Sequence, residues 1–470
     1  MPRRAKRLFS GWKRGCSNKE KGGSALSKIE TIRNFHASKL GNDRDIDIYL
    51  PEGYEENKKE RYPVLYLQDG QSVFDNGKSA TGRSWKIDAV ADRLIREKRI
   101  GKIIMVAIPH VNRTIEYCYY TWKDKKVRWD NGAGFDYSID GRGEAYTDFV
   151  IHELKPFIDA HYRTLPDSDN TALMGSSDGG FITFNMGIRH PDVFGKIAVM
   201  SPAFFAMDMD FFRETEVRNR VIWMDTGEKE LCLNHDARNM AMQLIKKGYV
   251  DGENLFFYFA PDGEHTEADW GARVFCPLIL FFGNVGKPVK VRLATDERIS
   301  LNEKEAFLNP IIIYESHVRR SDLNGEYAVS DHGVLDVEKS GELAPRSPGK
   351  TEITYRVAGL VLKREITVDA ELTDTVEVKF VVRVPEDTPE DARVGIDTGS
   401  PLHVELQKKS AGVYSGKVVL KRGTKFMYRV KMYRNFQLIT ELNAKDEIPC
   451  RRLHATEREE IRCRVEKWEH

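Results

Sequence analysis

Short apolar runs alternate with helical periodicities along the first half of the chain. The strand-like runs are continuously apolar, as in residues 103–108, or alternate apolar and polar side chains, as in residues 46–51. The helix-like segments repeat apolar side chains three and four positions apart, as at Ile87, Val90 and Leu94. This pattern predicts strands at 46–51, 62–67, 103–108, 171–174, 196–200, 221–224 and 254–259, and helices at 85–96, 146–160, 237–247 and directly after residue 180. Alternating strands and helices predict an open, mostly parallel sheet.

One turn in this pattern has a chemical signature. Residues 175–179 fit G-x-S-x-G with Ser177 at the centre. In that motif a strand enters a helix through a tight turn that exposes the serine hydroxyl. A Gly/Ser-rich surface turn would give the same five residues. The apolar run before the motif, and Phe181 and Phe184 on one face of the helix after it, favour a nucleophilic serine.

A serine hydroxyl is a poor nucleophile, so it needs a histidine to take its proton and a carboxylate to orient that histidine. On this type of sheet the order along the chain is serine, acid, histidine. His265 follows the last predicted strand and is the preferred base. His190 and His235 are the other histidines between Ser177 and the end of the sheet, and His190, beside a proline at a helix end, suits a structural cap.

The acid is expected in the loop after the strand at 221–224. Three carboxylates compete there, and a fourth follows shortly afterwards. We favour Glu230, with Glu228, Asp225 and Asp236 as the alternatives.

Backbone N–H groups are needed to hold the oxyanion of a tetrahedral intermediate. One donor is expected at Asp178, directly after the nucleophile. The second is expected at Gln71, since Gly70 lets the chain turn closely after the strand at 62–67. Three aromatic residues are predicted to contribute to substrate binding, although a core position would suit each equally well: Trp85, Tyr117 and Trp270.

These residues resemble the esterase family of α/β-hydrolases that includes enterochelin esterase and esterase D. The resemblance covers about residues 30–285. It is carried by residues 65–71, 113, 116–117, 141–146, 153–159, 161–164, the G-x-S-x-G turn at 175–179 (the nucleophile elbow), 201–203, 263–267 and 270. It implies a serine ester hydrolase that uses no metal or cofactor. Relatives act on siderophores, feruloyl and acetyl xylan esters or S-formylglutathione, and a few are acyltransferases.

Two details of the resemblance bear on the site. Relatives place the acid in a Gly-x-x-acid pattern, which favours Glu230 after Gly227. The departure is Asp178, because relatives usually carry an apolar residue or methionine there. The charge of Asp178 would oppose an oxyanion unless the side chain points away.

The pattern of apolar and polar residues changes near residue 287. From there, short strand patterns separated by turn residues predict β-sandwiches. Residues 287–371 resemble a bacterial immunoglobulin-like domain, for which we expect a spacing role. Residues 372–470 resemble a starch-binding-type carbohydrate-binding module. Phe436 stands where relatives have tryptophan and Cys450 where they have asparagine, so packing or assembly is favoured over sugar binding. Trp468 is expected to pack into the β-core.

The predicted architecture is therefore a basic arm (1–28), an α/β-hydrolase fold with helices on both faces of the sheet (29–286), and two β-sandwich domains (287–371 and 372–470). Net charge is +1, so no general field favours nucleic acid or membrane. The basic arm precedes no apolar run of signal-peptide length, and no run approaches eighteen apolar residues. We expect a disordered arm, with an anionic contact as the alternative, and a cytoplasmic location.

The six cysteines form no C-x-x-C pair and are interpreted as free thiols, with Cys450 and Cys463 as the pairing to check. The predicted function is a serine esterase acting on a small-molecule or carbohydrate ester. One alternative is a glycan-binding or scaffolding protein with a degenerate hydrolase domain, and another is an acyltransferase using the same serine. Self-association through the β-domains is left open.

Overall fold

The computed structural model describes residues 27–79, 81–128, 134–204, 209–230, 232–295, 297–301, 306–370, 375–397, 403–422, 424–434, 437–442, 444, 451–455 and 458–468. The predicted basic arm lies almost wholly outside these residues. Phe436 and Cys450 also lie outside them. Among the residues just given, no helix has both the length and the apolarity needed to cross a membrane.

An eight-stranded sheet organises the N-terminal half. The strands of this half are β1 (Lys28–Ala37), β2 (Asn42–Leu50), β3 (Val64–Leu67), β4 (Ile104–Ala107), β5 (Thr121–Arg128), β6 (Gly134–Asp140), β7 (Thr171–Ser176), β8 (Lys196–Met200), β9 (Val221–Gly227) and β10 (Leu255–Ala260). The sheet order is β1-β2-β4-β3-β7-β8-β9-β10, and β5 pairs with β6 in a separate hairpin. In this sheet, neighbouring strands are parallel along the series β4, β3, β7, β8, β9 and β10. Strand β2 is antiparallel to both of its neighbours, β1 and β4.

Helices flank the sheet. They are α1 (Ile87–Arg96), α2 (Arg113–Glu116), α3 (Gly143–Asp148), α4 (Lys155–His161), α5 (Asp178–Arg189), α6 (Met209–Glu214), α7 (Cys232–Lys246), α8 (Glu267–Arg273) and α9 (Phe275–Phe282). The helix predicted over 146–160 is divided, because a π-helical segment (Phe149–Leu154) separates α3 from α4. The helix predicted from residue 85 begins at Ile87, because Lys86 before it has a positive φ of 54°.

Successive side chains of the central strands point to opposite faces of the sheet. Tyr66 belongs to one hydrophobic cluster with α3, α5 and α7, whereas Leu65 and Leu67 belong to a second cluster with α1, α8 and α9. Burial on both faces explains why these strands are almost continuously apolar in sequence. The predicted parallel-rich sheet with helices on both faces is confirmed.

The C-terminal half consists of β-sheets. Its first part contains β11 (Pro288–Leu293), β12 (Arg298–Ser300), β13 (Pro310–Tyr314), β14 (Arg319–Ser321), β15 (Glu326–Val329), β16 (Leu335–Val337), β17 (Leu343–Pro345), β18 (Gly349–Val357) and β19 (Leu360–Asp369). Its second part contains β20 (Thr375–Arg383), β21 (Arg393–Asp397), β22 (His403–Ser410), β23 (Val413–Lys421), β24 (Lys425–Arg434), β25 (Gln437–Leu442), β26 (Arg451–His454), β27 (Glu459–Arg464) and β28 (Lys467–Trp468). The first part forms sheets β11-β13-β14, β12-β19-β18-β15 and β16-β17, and the second part forms one nine-stranded sheet.

The junction between the two halves is packed, not merely linked. Ile311, Ile312 and Val318 belong to the same hydrophobic cluster as α1, α8 and α9. At the edge strand β10, the N–H of Phe259 donates to Ser321 Oγ across 2.9 Å, and its carbonyl accepts from Asn309 Nδ2 across 3.1 Å. The sheet β11-β13-β14 therefore continues the core of the N-terminal half.

The second C-terminal part has its own core, and Trp468 is part of it. The Trp468 side chain is buried, and its Nε1–H donates to Thr388 Oγ1 across 2.8 Å. This agrees with the expectation that Trp468 packs inside. Within the described chain Cys118, Cys276 and Cys463 are free thiols.

Candidate active site

The candidate nucleophile sits in a strained turn between β7 and α5. Ser177 has φ 59° and ψ −125°, a conformation that L-residues rarely adopt. The flanking glycines are required by space: a Cβ on Gly175 would lie 2.2 Å from the carbonyl oxygen of Gly179. The N–H of Ser177 donates to the Met200 carbonyl across 3.0 Å, which fixes the turn against β8. The serine hydroxyl is thereby presented at the carboxyl ends of the parallel strands.

His265 lies against the serine. Its Nε2 is 3.0 Å from Ser177 Oγ, and its Nδ1 is 3.2 Å from Glu230 Oε2. The histidine belongs to the loop between β10 and α8, directly before Thr266, whose side chain caps α8 by accepting from the Asp269 N–H. The structure thus brings Ser177, His265 and Glu230, remote in sequence, into one hydrogen-bonded chain.

Glu230 is buried, with only 1% of its surface exposed. Its Oε1 accepts from Ser201 Oγ at 2.8 Å and from the Gly227 N–H at 2.9 Å. Arg273 Nη2 lies 3.4 Å from the same oxygen. Burial by itself raises the pKa of a carboxyl. Here the hydrogen bond and charge of His265, together with Arg273, outweigh burial and hold the pKa of Glu230 below its ordinary value.

The competing acids have other partners. Asp225 is fully buried, where its carboxylate accepts from Arg273 Nε at 2.8 Å and from Trp223 Nε1 at 2.7 Å. Glu228 accepts from the N–H of Asp262 at 2.9 Å. His190, an alternative base, follows the last residue of α5, at the opposite end of that helix from Ser177.

A layer of residues lies behind Glu230 that the sequence pattern does not predict. Ser201 Oγ accepts from Trp270 Nε1 at 2.9 Å and from Arg273 Nη2 at 2.7 Å while it donates to Glu230. Ser201 has a positive φ of 42° at the end of β8. Because its N–H bonds to the Asp225 carbonyl at 2.7 Å, the turn that carries it is anchored to β9. No local pattern in the sequence connects these residues.

The two expected oxyanion donors lie in first turns of helices. Asp178 is the first residue of α5, and Gln71 is the middle residue of a 3₁₀ turn (Gly70–Ser72) after β3. N–H groups at such positions have no partner within their own helix. The chain reaches this turn through Asp69, whose φ is 53°. A Cβ on Gly70 would lie 2.5 Å from the Ala107 backbone. The expected close turn at Gly70 therefore has a steric cause.

Arg113 lies between the carboxylates of the two donor segments. Its Nε and Nη2 donate to Asp69 at 2.9 and 2.7 Å, and its Nη1 donates to Asp178 Oδ2 at 2.7 Å. His110 Nδ1 is also 2.9 Å from Asp69 Oδ1. Burial raises the pKa of Asp69, but Arg113 and His110 more than compensate, lowering it to about 2. The negative charge of Asp178, anticipated as a problem beside an oxyanion, is thus paired with a guanidinium.

The three aromatic residues predicted for substrate binding are buried, each at most 5% exposed. Tyr117 supports the turn at Gly70–Ser72, since its hydroxyl accepts from the N–H of Asp69, the residue before that turn, at 2.9 Å. Trp270 packs edge-on against His265, with ring centroids 4.8 Å apart, and Trp85 packs against Trp270 at 6.2 Å. The structure places all three behind the candidate catalytic groups instead of on an open wall, because their rings fill the protein core.

Comparisons with known proteins bear on the same half of the chain. A family model described as "Putative esterase" matches residues 37–279. YjcH of Bacillus subtilis is 24% identical over 250 residues, covering 51% of this chain and 91% of that protein. An endo-1,4-beta-xylanase/feruloyl esterase of Xylanibacter ruminicola is 26% identical over 230 residues, covering 47% of this chain and 27% of that protein. An IroE-like serine hydrolase from Shewanella oneidensis matches with TM-score 0.45 and 20% identity, covering 54% of this chain and 80% of that structure.

Proposed function

Since the chain belongs to the Esterase family and is a carboxylic ester hydrolase, we propose that it works as a serine esterase through an acyl-enzyme on Ser177. The observation that carries the proposal is the hydrogen-bonded chain from Ser177 Oγ through His265 to Glu230, with contacts of 3.0 and 3.2 Å. A buried carboxylate in this chain favours the tautomer of His265 in which Nδ1 holds the proton. Nε2 is then free to accept the serine proton.

In the first half-reaction Ser177 Oγ attacks the ester carbonyl carbon, and its proton moves to His265 Nε2. The imidazolium is stabilised by Glu230, which Ser201, Gly227 and Arg273 keep ionised. The carbonyl oxygen becomes an oxyanion and accepts from the expected backbone N–H donors. When the intermediate collapses, the bond from the acyl carbon to the leaving alcohol breaks. His265 then returns the proton to the departing oxygen.

In the second half-reaction water takes the place of the alcohol. His265 Nε2 accepts a proton from the water while its oxygen attacks the acyl carbon of the Ser177 ester. The same N–H groups hold the second oxyanion. Collapse of this intermediate breaks the bond from Ser177 Oγ to the acyl carbon and releases the carboxylic acid. His265 gives its proton to Ser177 Oγ, which restores the hydroxyl. No redox partner or metal is required for either half.

For the substrate, we propose an acylated carbohydrate carrying a feruloyl or acetyl group. The support is the relative from Xylanibacter ruminicola whose name includes feruloyl esterase, together with the β-rich half attached to this chain. Siderophore-type esters are the second class to assay. Release of ferulate from methyl ferulate and from feruloylated arabinoxylan fragments is measured by chromatography. Comparing these rates with hydrolysis of a siderophore-type ester tests the acylated carbohydrates against the siderophore esters.

The mechanism is tested by hydrolysis of p-nitrophenyl acetate and butyrate by the wild type and by Ser177→Ala. We expect the variant to lose about 10³-fold or more in kcat, as happens when a member of such a triad is removed. Ser176→Ala serves as the matched control, since Ser176 is the neighbouring serine at the end of β7. A folded wild type without activity on any ester in the panel would contradict the proposal, as would undiminished activity of Ser177→Ala.

A further inference from the structure

Arg113 is the one residue among those described that bonds to both segments expected to supply the oxyanion donors. Its guanidinium holds Asp69 through two contacts and Asp178 through one. Asp69 is the residue that turns the chain into the Gly70–Ser72 segment, and Asp178 is itself one of the two expected donors. A further contact, Nη2 to the Ser176 carbonyl at 3.3 Å, ties Arg113 to the residue before the nucleophile.

The arginine is itself held in place. It is the first residue of the short helix α2, whose last residue, Glu116, is buried and paired with Arg44 at 3.0 and 3.1 Å. Glu116 also accepts from the Val111 N–H at 3.2 Å. Since guanidinium donors form a rigid planar fork, an arginine fixed in this way can set the distance between two carboxylates.

The charges at this point have a direct bearing on chemistry. Asp178 is partly exposed, with 42% of its side chain accessible, and it immediately follows the nucleophile. An unpaired carboxylate there would repel the negative charge that develops on the substrate oxygen. Arg113 contributes one positive charge in contact with both carboxylates, 2.7 Å from each.

We propose that Arg113 is a positioning residue that fixes the two oxyanion-donor segments relative to each other and offsets part of the charge of Asp178 during the reaction. The inference rests on the proposed esterase chemistry at Ser177 and deepens it. It also accounts for an aspartate at position 178: the residue serves as an anchor for Arg113 on the α5 side of the hole.

The test measures kcat and KM for p-nitrophenyl acetate with the wild type, Arg113→Gln, Arg113→Lys and the double variant Arg113→Gln/Asp178→Asn. We expect Arg113→Gln to lower kcat about 10²-fold with KM changed less than about threefold, because the oxyanion exists only in the transition state. Arg113→Lys keeps the positive charge but lacks the planar fork of donors, so its kcat should lie between those of the wild type and Arg113→Gln. The double variant should be about tenfold faster than Arg113→Gln, since it removes the carboxylate that directly follows the nucleophile.

A merely structural arginine provides the matched control. Arg163 lies 3.7 Å over the Tyr54 ring and donates to the Tyr54 carbonyl, so Arg163→Gln should lower the melting temperature and leave kcat unchanged. Circular dichroism establishes which variants are folded; if Arg113→Gln is not, the selective loss of kcat in Arg113→Lys carries the test. A folded Arg113→Gln variant with kcat within about threefold of wild type, a folded Arg113→Lys variant with kcat equal to that of wild type, or a double variant no faster than Arg113→Gln would overturn this inference alone. An inactive wild type would overturn it together with the proposed function.

Discussion

Ser201 donates its hydroxyl proton to Glu230 Oε1 across 2.8 Å while two other side chains donate to the same hydroxyl oxygen. One hydroxyl therefore connects the carboxylate behind His265 to Trp270 and Arg273. All four residues of this connection are at most 5% exposed. A buried hydroxyl that uses one donor and two acceptor positions is costly to remove, because its former partners have no water to replace it.

Replacing Ser201 with alanine should therefore lower both stability and activity. Loss of the hydroxyl leaves Trp270 Nε1 without its acceptor and removes one donor to Glu230, which should cost about 1–3 kcal/mol of unfolding free energy. We expect kcat to fall about tenfold with little change in KM. Urea unfolding and p-nitrophenyl acetate kinetics measure the two effects, and an unfolding free energy equal to that of wild type would contradict the prediction.

Glu230→Gln should be far more harmful than Glu228→Gln. The amide of the first variant cannot stabilise an imidazolium at His265, so kcat should fall by about 10²- to 10⁴-fold. Glu228 has an exposed side chain that accepts from the Asp262 N–H, and its variant should stay within about threefold of wild type. Equal losses of kcat in the two variants would mean that Glu230 is not the carboxylate that orients His265.

Asp69 should stabilise the protein in a pH-dependent way. Its pKa falls from the usual 3.8 to about 2 on folding, so the ionised carboxylate stabilises the fold above about pH 4. That contribution is lost as the pH falls through about 2, since the folded and unfolded chains then bind the same number of protons. The shift corresponds to about 2 kcal/mol at neutral pH.

The measurement for Asp69 is the unfolding free energy of wild type and Asp69→Asn between pH 2 and 7. We expect the difference between the two proteins to be largest above pH 4 and to shrink towards pH 2. A difference that stays constant over this range would show that Asp69 contributes through packing alone.

Truncation distinguishes the two parts of the C-terminal half. A chain that ends at residue 286 loses Ile311, Ile312 and Val318 from the hydrophobic cluster it shares with α1, α8 and α9. We expect that chain to lose several kcal/mol of stability, at about 1.5–3 kcal/mol for each buried aliphatic side chain. A chain that ends at residue 370 keeps these contacts and should retain its melting temperature to within a few degrees. Calorimetry of both chains checks the prediction, and a fully stable shorter chain would contradict it.

The sequence was most informative where neighbouring residues act together. The elbow around Ser177 depends on glycines within a few positions, and the strands around it are buried on both faces, so both are visible as local patterns. The π-helical segment between α3 and α4 was not predictable in this way, since its apolar residues keep a helical spacing. Strand β1 was also missed, because an edge strand with charged side chains does not show the apolar signature of a central strand.

The surroundings of Glu230 show why its role could not be predicted from spacing alone. Three carboxylates lie within six residues of each other, so spacing alone could not choose between Asp225, Glu228 and Glu230. What distinguishes Glu230 in the structure is contact with the Ser201 hydroxyl, 29 positions earlier, and with His265, 35 positions later. The bridge through Arg113 is equally remote in sequence, since it joins Asp69 and Asp178, which follow the neighbouring strands β3 and β7. Such contacts are set by the packing of loops at one edge of the sheet, not by any periodicity.

The capping of β10 by Asn309 and Ser321 also affects aggregation. An edge strand with free N–H and C=O groups invites a strand from another molecule to pair with it. At Phe259 both backbone groups are already bonded to side chains from the following sheet. At the opposite edge, β1 carries charged residues and an irregularity between Ile32 and Phe35. Two copies could not extend the sheet past Phe259 without displacing Asn309 and Ser321, so the chain following the esterase half also protects that half from unwanted strand pairing.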